Sequence, residues 1–123
     1  MAKQILLVED TSVLAETIAD SLRMEGFEVA ITANGKHALE KIEKTAPDLV
    51  ITDLLMPQMD GLEFTRRFRR DSRCRETPVI MISAQVGDNV CQAGRDAGAN
   101  LFLKKPFAQN RLIECISTLL KND

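Results

Sequence analysis

The stretch Leu49-Val50-Ile51-Thr52-Asp53 places a short, continuously apolar run directly before an acidic residue. An apolar run of this length is typical of a strand that is buried on both faces of a sheet. Further strand candidates lie at residues 5–8, 27–31, 78–82 and 101–103. Apolar residues between them recur with helical spacing. Five strands that alternate with five helices predict an α/β protein with a parallel sheet, right-handed crossovers and helices on both faces.

Four of the five predicted helices carry a clear apolar stripe. The stripes consist of Leu14, Ile18 and Leu22; Ala38, Leu39 and Ile42; Leu62, Phe64 and Phe68; and, in the last helix, Leu112, Ile113, Ile116, Leu119 and Leu120. Gly26 is expected to end the first helix, and Asn34-Gly35 to turn the chain into the second. The fourth helix has the weakest signal, because three glycines near it lower helix propensity.

Length, charge and cysteine content limit the classes of protein to be considered. The 123 residues fit one domain, and a net charge of −2 gives no reason to expect nucleic-acid binding. No apolar run is long enough for a bilayer, and the N-terminus lacks the apolar core of a signal peptide. An odd number of separated cysteines, Cys74, Cys91 and Cys115, indicates reduced thiols and therefore the cytoplasm.

Chemically active side chains follow four of the predicted strands. Glu9 and Asp10 come after the first, Asp53 ends the third, Ser83 follows the fourth and Lys105 the fifth. Ligands of open α/β sheets bind beyond the carboxyl ends of the strands, and neighbouring strands are roughly 4.8 Å apart. These five side chains are therefore expected to share one site.

The residue types at this edge suit phosphoryl transfer. Clustered carboxylates repel one another unless a cation is present, and Mg²⁺ prefers carboxylate, water and phosphate oxygens. Asp53 could attack phosphorus and form an acyl phosphate. Lys105 and the metal would stabilise charge on the phosphoryl oxygens, and Ser83 could donate a hydrogen bond to one of them.

Five sequence motifs together resemble the receiver domain family of two-component signalling. In chain order they are ILLVED (5–10), PDLVITD (47–53), MPQMDGLE (56–63), PVIMISA (78–84) and KKPF (104–107). The resemblance covers essentially the whole chain and implies one receiver domain at 1–123. It also implies a doubly wound, flavodoxin-like sheet with strand order 2-1-3-4-5 and five helices.

The resemblance assigns roles around the phosphoacceptor, which would be Asp53. Asp10 would bind Mg²⁺ directly, Glu9 would bind it through water, and the backbone carbonyl of Leu55 would be a further ligand. Asp10 could in addition cap the first helix. The side chains of Leu55 and Gln85 occupy positions that tune phosphoryl lifetime in the family.

Further roles implied by the resemblance concern the phosphate contacts and the switch. Lys105 would contact the phosphate, aimed by a cis peptide bond to Pro106. The hydroxyl of Ser83 would move toward the phosphoryl group, the backbone N–H of Ala84 would donate to it, and the ring of Phe102 would turn inward. The face formed by the fourth helix, fifth strand and fifth helix would then change and regulate a partner.

The resemblance also implies the partners. The phosphodonor would be a sensor histidine kinase or a phosphotransfer protein, and the target a downstream protein. The net charge and the short apolar runs, rather than the resemblance, give no reason to expect a nucleic acid or a membrane as partner. The chain would catalyse its own phosphorylation and dephosphorylation, without a separate turnover substrate, as a monomer or weak homodimer. It resembles stand-alone chemotaxis regulators, but a receiver piece of a larger regulator or hybrid kinase fits as well.

Three other functions compete with a phosphorylation switch. A flavin mononucleotide binder of the same fold would need a Ser/Thr-rich phosphate loop. Thr11-Ser12 is a short version of such a loop, and the neighbouring acids Glu9 and Asp10 would repel the phosphate. A haloacid-dehalogenase-type phosphohydrolase would need a second acid at the position of Leu55. A phosphorylation-independent binding scaffold would have no need of the full acid set.

Two further features attract attention without deciding the function. Arg66, Arg69, Arg70 and Arg73 are expected to form one stripe on the third helix, either a solvated face or a docking surface for an acidic partner or RNA. His37 is expected to be exposed and to be neither a metal ligand nor the phosphodonor.

Overall fold

The computed structural model describes residues 2–56, 59–84 and 87–120. Its five strands are β1 (Gln4–Val8), β2 (Glu28–Thr32), β3 (Leu49–Asp53), β4 (Val79–Ser83) and β5 (Leu101–Lys104). Its α-helices are α1 (Ser12–Met24), α2 (Gly35–Lys44), α3 (Gly61–Arg70), α4 (Asp88–Ala97) and α5 (Gln109–Leu120), and a short 3₁₀ helix covers Ser72–Cys74. The strands are all parallel, in the order β2-β1-β3-β4-β5. The predicted fold class, strand order and number of helices are confirmed.

The alternation of side chains along β1 divides the core into two layers. Ile5 and Leu7 pack with α1 and α5, on a cluster that includes Ile18 and Ile116. Leu6 and Val8 point to the other cluster, which contains apolar residues of α2 and α3. All five residues of β3 and of β4 are buried, because both strands lie inside the sheet with helices on either side. The continuous apolar runs of these strands thus reflect burial on both faces.

Short polar side chains fix the starts of the helices that flank the site. The Asn34 side chain accepts a hydrogen bond from the His37 N–H at 2.9 Å, which begins α2. The Asp60 side chain accepts from the Glu63 N–H at 2.9 Å, which begins α3. The N-cap of α1 is Thr11 rather than Asp10. The possible capping role of Asp10 is therefore wrong, and its carboxylate is available for another purpose.

Glycine conformation shows how two helices end. Gly26 follows α1 with φ of 95°, and Gly98 ends α4 with φ of 116°, a backbone region that L side chains rarely adopt. Gly26 was expected as a helix end. The second strand begins one residue later than predicted, at Glu28, because Phe27 still donates its backbone N–H to the carbonyl of Leu22 in the last turn of α1.

The predicted arginine stripe does not exist as one surface. Helix α3 ends at Arg70, and Arg73 belongs to the 3₁₀ helix, where it binds Asp71 and the carbonyl of Ile42. Arg69 turns away from solvent, and burial lowers its pKa. Its guanidinium donates to the carbonyls of Gly98, Cys74 and Thr77, at 2.7, 2.7 and 2.6 Å. A single arginine thereby joins α3 to the segments that precede β4 and β5.

The remaining predictions concern His37, membrane-spanning helices and residues 57, 58 and 85. His37 is exposed, as expected. None of the helices among the described residues is long and apolar enough to cross a membrane. The motif residues Pro57 and Gln58 and the lifetime position Gln85 lie outside the described residues.

Candidate functional site

The register of the sheet brings the predicted site residues to one edge. Val8, the last residue of β1, pairs with Thr52 of β3, so Glu9 and Asp53 leave the sheet side by side. On the other side of β3, Asp53 pairs with Ile82, and Ser83 pairs with Lys104. The carboxyl ends of four strands therefore meet where the sequence predicted them to meet.

Three carboxylates form the centre of this edge. One carboxylate oxygen from each of Glu9, Asp10 and Asp53 lies within 4.8 Å of the other two. Glu9 and Asp53 are buried, with exposed fractions of 1% and 7%, whereas Asp10 is exposed. Solvent therefore reaches the cluster at Asp10.

Lys105 spans two of these acids. Its ammonium nitrogen lies 2.9 Å from Oε1 of Glu9 and 2.9 Å from Oδ2 of Asp53. Burial by itself lowers the pKa of Lys105, but the hydrogen bonds to Glu9 and Asp53 outweigh it and raise the pKa above its usual value. Lys105 therefore stays charged at neutral pH. It is the lysine of the pair 104–105 that belongs to the site, since Lys104 is exposed.

The backbone around Lys105 holds its side chain in this place. The peptide bond from Lys105 to Pro106 is cis, as the resemblance implied. The Lys105 N–H also donates to the carbonyl of Ser83 at 2.8 Å, which ties the end of β5 to the end of β4. The lysine is thus fixed to the neighbouring strand as well as to its own.

Gly61 permits the close approach of α3 to the end of β3. Its N–H donates to the carbonyl of Leu54 at 2.7 Å. A β-carbon at position 61 would overlap the backbone carbonyl oxygen of Asp53 and lie 3.0 Å from the Cα of Leu54. Gly61 lies in the motif MPQMDGLE, but the sequence predicts no role for it, because the approach of helix to strand is a tertiary feature.

The other predicted site residues surround this centre. Ser83 is buried, with 4% exposed, and Ala84 is exposed next to it. The side chain of Leu55 is 70% exposed beside the acids. Phe102 is half-buried, and the guanidinium of Arg95 lies 5.7 Å from the centre of its ring. Within the described part of the chain, the site residues predicted from sequence therefore lie at one edge of the sheet or on β5 next to it.

The donor set fits a hard divalent cation. Three carboxylates face a single ammonium in the cluster, so negative charge is in excess when the acids are ionised. Carboxylate oxygens with room for water on the exposed side match the preference of Mg²⁺. Asp10 and Asp53 could bind such an ion directly, with Glu9 behind them.

The fold and this edge define a doubly wound, flavodoxin-like α/β protein with an acidic, lysine-bridged site. The family model of the response regulator receiver domain matches residues 5–117, and the chain belongs to that family. It is 33% identical over 123 residues to the DNA-binding response regulator MtrA of Mycobacterium tuberculosis, covering 100% of this chain and 53% of that protein. The chain spans about half the length of the curated relatives it matches.

Two solved structures resemble the chain over nearly all its length. The Vibrio cholerae chemotaxis protein CheY4 superimposes with a TM-score of 0.95 at 31% identity, covering 98% of this chain and 100% of that one. The receiver domain of the sensor histidine kinase PA1611 of Pseudomonas aeruginosa superimposes with a TM-score of 0.90 at 30% identity, covering 98% and 99%. Its structure has a magnesium ion coordinated in the active-site cleft.

Proposed function

We propose that the chain is a phosphorylation switch in which Asp53 accepts a phosphoryl group, in a Mg²⁺-dependent reaction, from a histidine kinase or phosphotransfer protein. The observation that carries the proposal is the contact of one lysine with a buried glutamate and the acceptor aspartate, next to a third carboxylate. Family membership supports the same function. The magnesium ion of the PA1611 receiver domain supports Mg²⁺ as the cation.

The residues at the edge have separate parts in the transfer. A carboxylate oxygen of Asp53 forms a bond to phosphorus while the bond from phosphorus to the donor's imidazole nitrogen breaks, and the imidazole leaves with the electron pair. Lys105 meets the charge on the phosphoryl oxygens, since its ammonium already lies at Asp53. Ser83 and the N–H of Ala84 would donate to the same oxygens.

A bound metal ion would neutralise phosphoryl charge and align the acceptor with the donor. Asp10, Asp53 and the backbone carbonyl of Leu55 would hold it, with Glu9 acting through water. The exposed side of the cluster, where Asp10 lies, is the side from which phosphate oxygens could complete the shell.

Phosphorylation would then change a surface that a partner reads. Ser83 and Phe102 would move together and alter the face formed by α4, β5 and α5, as a shift between two states. The chain would catalyse its own phosphorylation and dephosphorylation and act on no separate substrate. Cytoplasmic location, absence of nucleic-acid binding by this domain and a monomeric or weakly dimeric state remain predictions.

The alternatives differ in how well the site supports them. The chain's half-length match to its relatives is compatible with a receiver domain of a larger regulator or hybrid kinase, which would perform the same chemistry. A binding scaffold would not require Glu9, Asp10, Asp53 and Lys105 to be held together. The two acids at the end of β1 disfavour a flavin phosphate, and the exposed leucine at position 55 does not supply the second acid of a phosphohydrolase.

Intact-mass spectrometry after incubation with acetyl phosphate tests the proposal. We expect a gain of one phosphoryl group with Mg²⁺, no gain with excess chelator, and no gain for Asp53→Asn. Asp20→Asn, which changes an exposed aspartate on α1, serves as the matched control and should be labelled like the wild type. Labelling of Asp53→Asn at the wild-type rate would place the acceptor elsewhere. No labelling of the wild type in any condition would favour a scaffold.

A further inference from the structure

Gly94 lies inside α4, where glycine is among the poorest choices for helix stability. Its backbone is not in the left-handed region, so conformation does not require a glycine here. It is buried in the structure, whereas Gly87 at the start of the same helix is exposed. The reason for a glycine at position 94 must therefore be sought in what packs against it.

The side chain that packs against Gly94 is Phe102. A β-carbon built on Gly94 would overlap the ring atoms Cε1 and Cζ of Phe102 and lie 3.4 Å from Sδ of Met81. Arg95, the next residue of α4, places its guanidinium 5.7 Å from the ring centre. The ring thus packs against the backbone of α4, with a cation close to it.

This contact adjoins the phosphoacceptor site along β5. Phe102 pairs with Met81 in the sheet, and two residues further on Lys104 pairs with Ser83. The next residue, Lys105, donates its N–H to the carbonyl of Ser83. A displacement of the ring would therefore act on the strand that carries the lysine of the site, and on the distance between β5 and α4.

We propose that Gly94 is a positioning residue for Phe102: the missing β-carbon is what lets the ring pack against the backbone of α4, and this packing couples α4 to β5 and the site. Its effect on the reaction rests on the proposed phosphorylation of Asp53, whereas its effect on the ring does not. With any larger residue at position 94, the outer ring atoms must leave the place they occupy in the structure.

A double-mutant cycle on thermal unfolding tests the steric part. Phe102→Leu removes the two ring atoms that a β-carbon at position 94 would overlap. In the Phe102→Leu background, Gly94→Ala should raise Tm by about 4 °C, as expected for an alanine in place of a helical glycine. In the wild-type background, the same substitution should leave Tm unchanged or lower it. Equal gains in both backgrounds would overturn the proposal.

Gly87→Ala is the matched control, because nothing among the described residues lies within 4 Å of a β-carbon added there. Its effect on Tm should be small and the same with Phe or Leu at position 102. In NMR spectra, the Hα protons of Gly94 should show nuclear Overhauser contacts with the ring of Phe102. In Gly94→Ala the ring resonances should shift. Unchanged ring resonances would mean that the β-carbon is accommodated and would overturn the proposal.

The initial rate of Mg²⁺-dependent labelling by acetyl phosphate tests the coupling to the site. Gly94→Ala should change this rate by about threefold or more in the wild-type background, and should have little effect in Phe102→Leu. An unchanged rate in the wild-type background, with the ring shown to be displaced, would overturn the coupling. If the wild type itself is not labelled, the proposed function fails, while the Tm cycle and the NMR contacts still decide whether Gly94 positions Phe102.

Discussion

The ammonium nitrogen of Lys105 lies 2.9 Å from Oε1 of Glu9 and 2.9 Å from Oδ2 of Asp53. The side chain of Glu9 has no exposed surface, so its carboxylate contacts this lysine and the Thr11 N–H in place of water. Burying a carboxylate without a partner is costly, and the ammonium offsets that cost for two acids at once. The same contact holds Asp53, the proposed phosphoacceptor, next to a cation.

Lys105→Met should therefore reduce stability. We expect a loss of about 3 kcal/mol in the free energy of unfolding at pH 7, because the buried carboxylate of Glu9 loses its cation and keeps only the hydrogen bond from the Thr11 N–H. Added Mg²⁺ should restore part of it, since a cation can replace the ammonium. Urea unfolding at pH 7, with and without MgCl₂, measures both effects.

Lys104→Met is the control for this experiment, because Lys104 is exposed. It should change the unfolding free energy by less than about 0.5 kcal/mol. In the wild type, the raised pKa of Lys105 means that its stabilisation persists through neutral pH and is lost only as pH rises above the ordinary lysine range. Equal losses for the two lysine variants at pH 7 would contradict the role given to Lys105.

Local patterns were sufficient to predict the strands and most of the site. Buried parallel strands are continuously apolar, and their carboxyl ends share one edge, so the position of Asp53 after its strand already placed it near Glu9 and Lys105. The contacts of Arg69 could not be found in this way. A helical stripe shows only on which face of the helix a side chain begins. The guanidinium of Arg69 reaches the carbonyl of Gly98, which is 29 residues away in sequence. The packing of Phe102 on Gly94 is likewise a contact between two elements, β5 and α4, which the residue pattern within either element does not show.

Removal of one carboxylate tests the cation site directly. Asp10→Asn leaves the buried pair of Glu9 and Asp53 in contact with Lys105, but removes the accessible ligand. Increasing MgCl₂ should raise the Tm of the wild type, by an amount that corresponds to about 2.7 kcal/mol at a concentration of 100 times Kd. The variant should show a much smaller rise. Glu43→Gln, an exposed acid on α2, should respond like the wild type. A full response in Asp10→Asn would exclude Asp10 as a ligand.

A β-carbon at position 61 should disturb the end of β3. Gly61→Ala would overlap the carbonyl oxygen of Asp53, so α3 or the end of β3 must move. We expect a loss of about 2 kcal/mol in unfolding free energy and labelling slowed by about tenfold or more, because small displacements of reacting groups are costly. Chemical denaturation and the acetyl phosphate assay measure the two effects. Gly87→Ala is again the comparison, and wild-type behaviour of Gly61→Ala in both assays would show that the helix yields without moving Asp53.

Arg69 should be the most important arginine for stability. Arg69→Ala leaves the carbonyls of Gly98, Cys74 and Thr77 without their donor, and we expect a loss of about 2–3 kcal/mol. Arg69→Lys should recover only part of it, because an ammonium cannot reproduce the guanidinium fork. Arg66→Ala, which removes an exposed side chain 3.6 Å from Glu63, should cost less than about 0.5 kcal/mol. Similar urea midpoints for Arg69→Ala and Arg66→Ala would contradict this assignment.

The ion pair between Asp71 and Arg73, at the start of the 3₁₀ helix, should contribute to the pH dependence of stability in acid. A side-chain hydrogen bond from Arg73, reinforced by the Arg73 backbone N–H, lowers the pKa of Asp71 from 3.8 to about 2. A group whose pKa is lowered on folding stabilises the fold at pH values above its pKa in the unfolded state. This stabilisation is lost as the pH falls through its pKa in the folded state. The urea midpoint of the wild type should therefore fall between about pH 4 and about pH 2, and Asp71→Asn should flatten that part of the profile. Arg73→Gln removes the side-chain hydrogen bond but keeps the backbone N–H of residue 73, so it should flatten this part of the profile less than Asp71→Asn does. A wild-type slope in either variant would show that other acids cause the loss of stability at low pH.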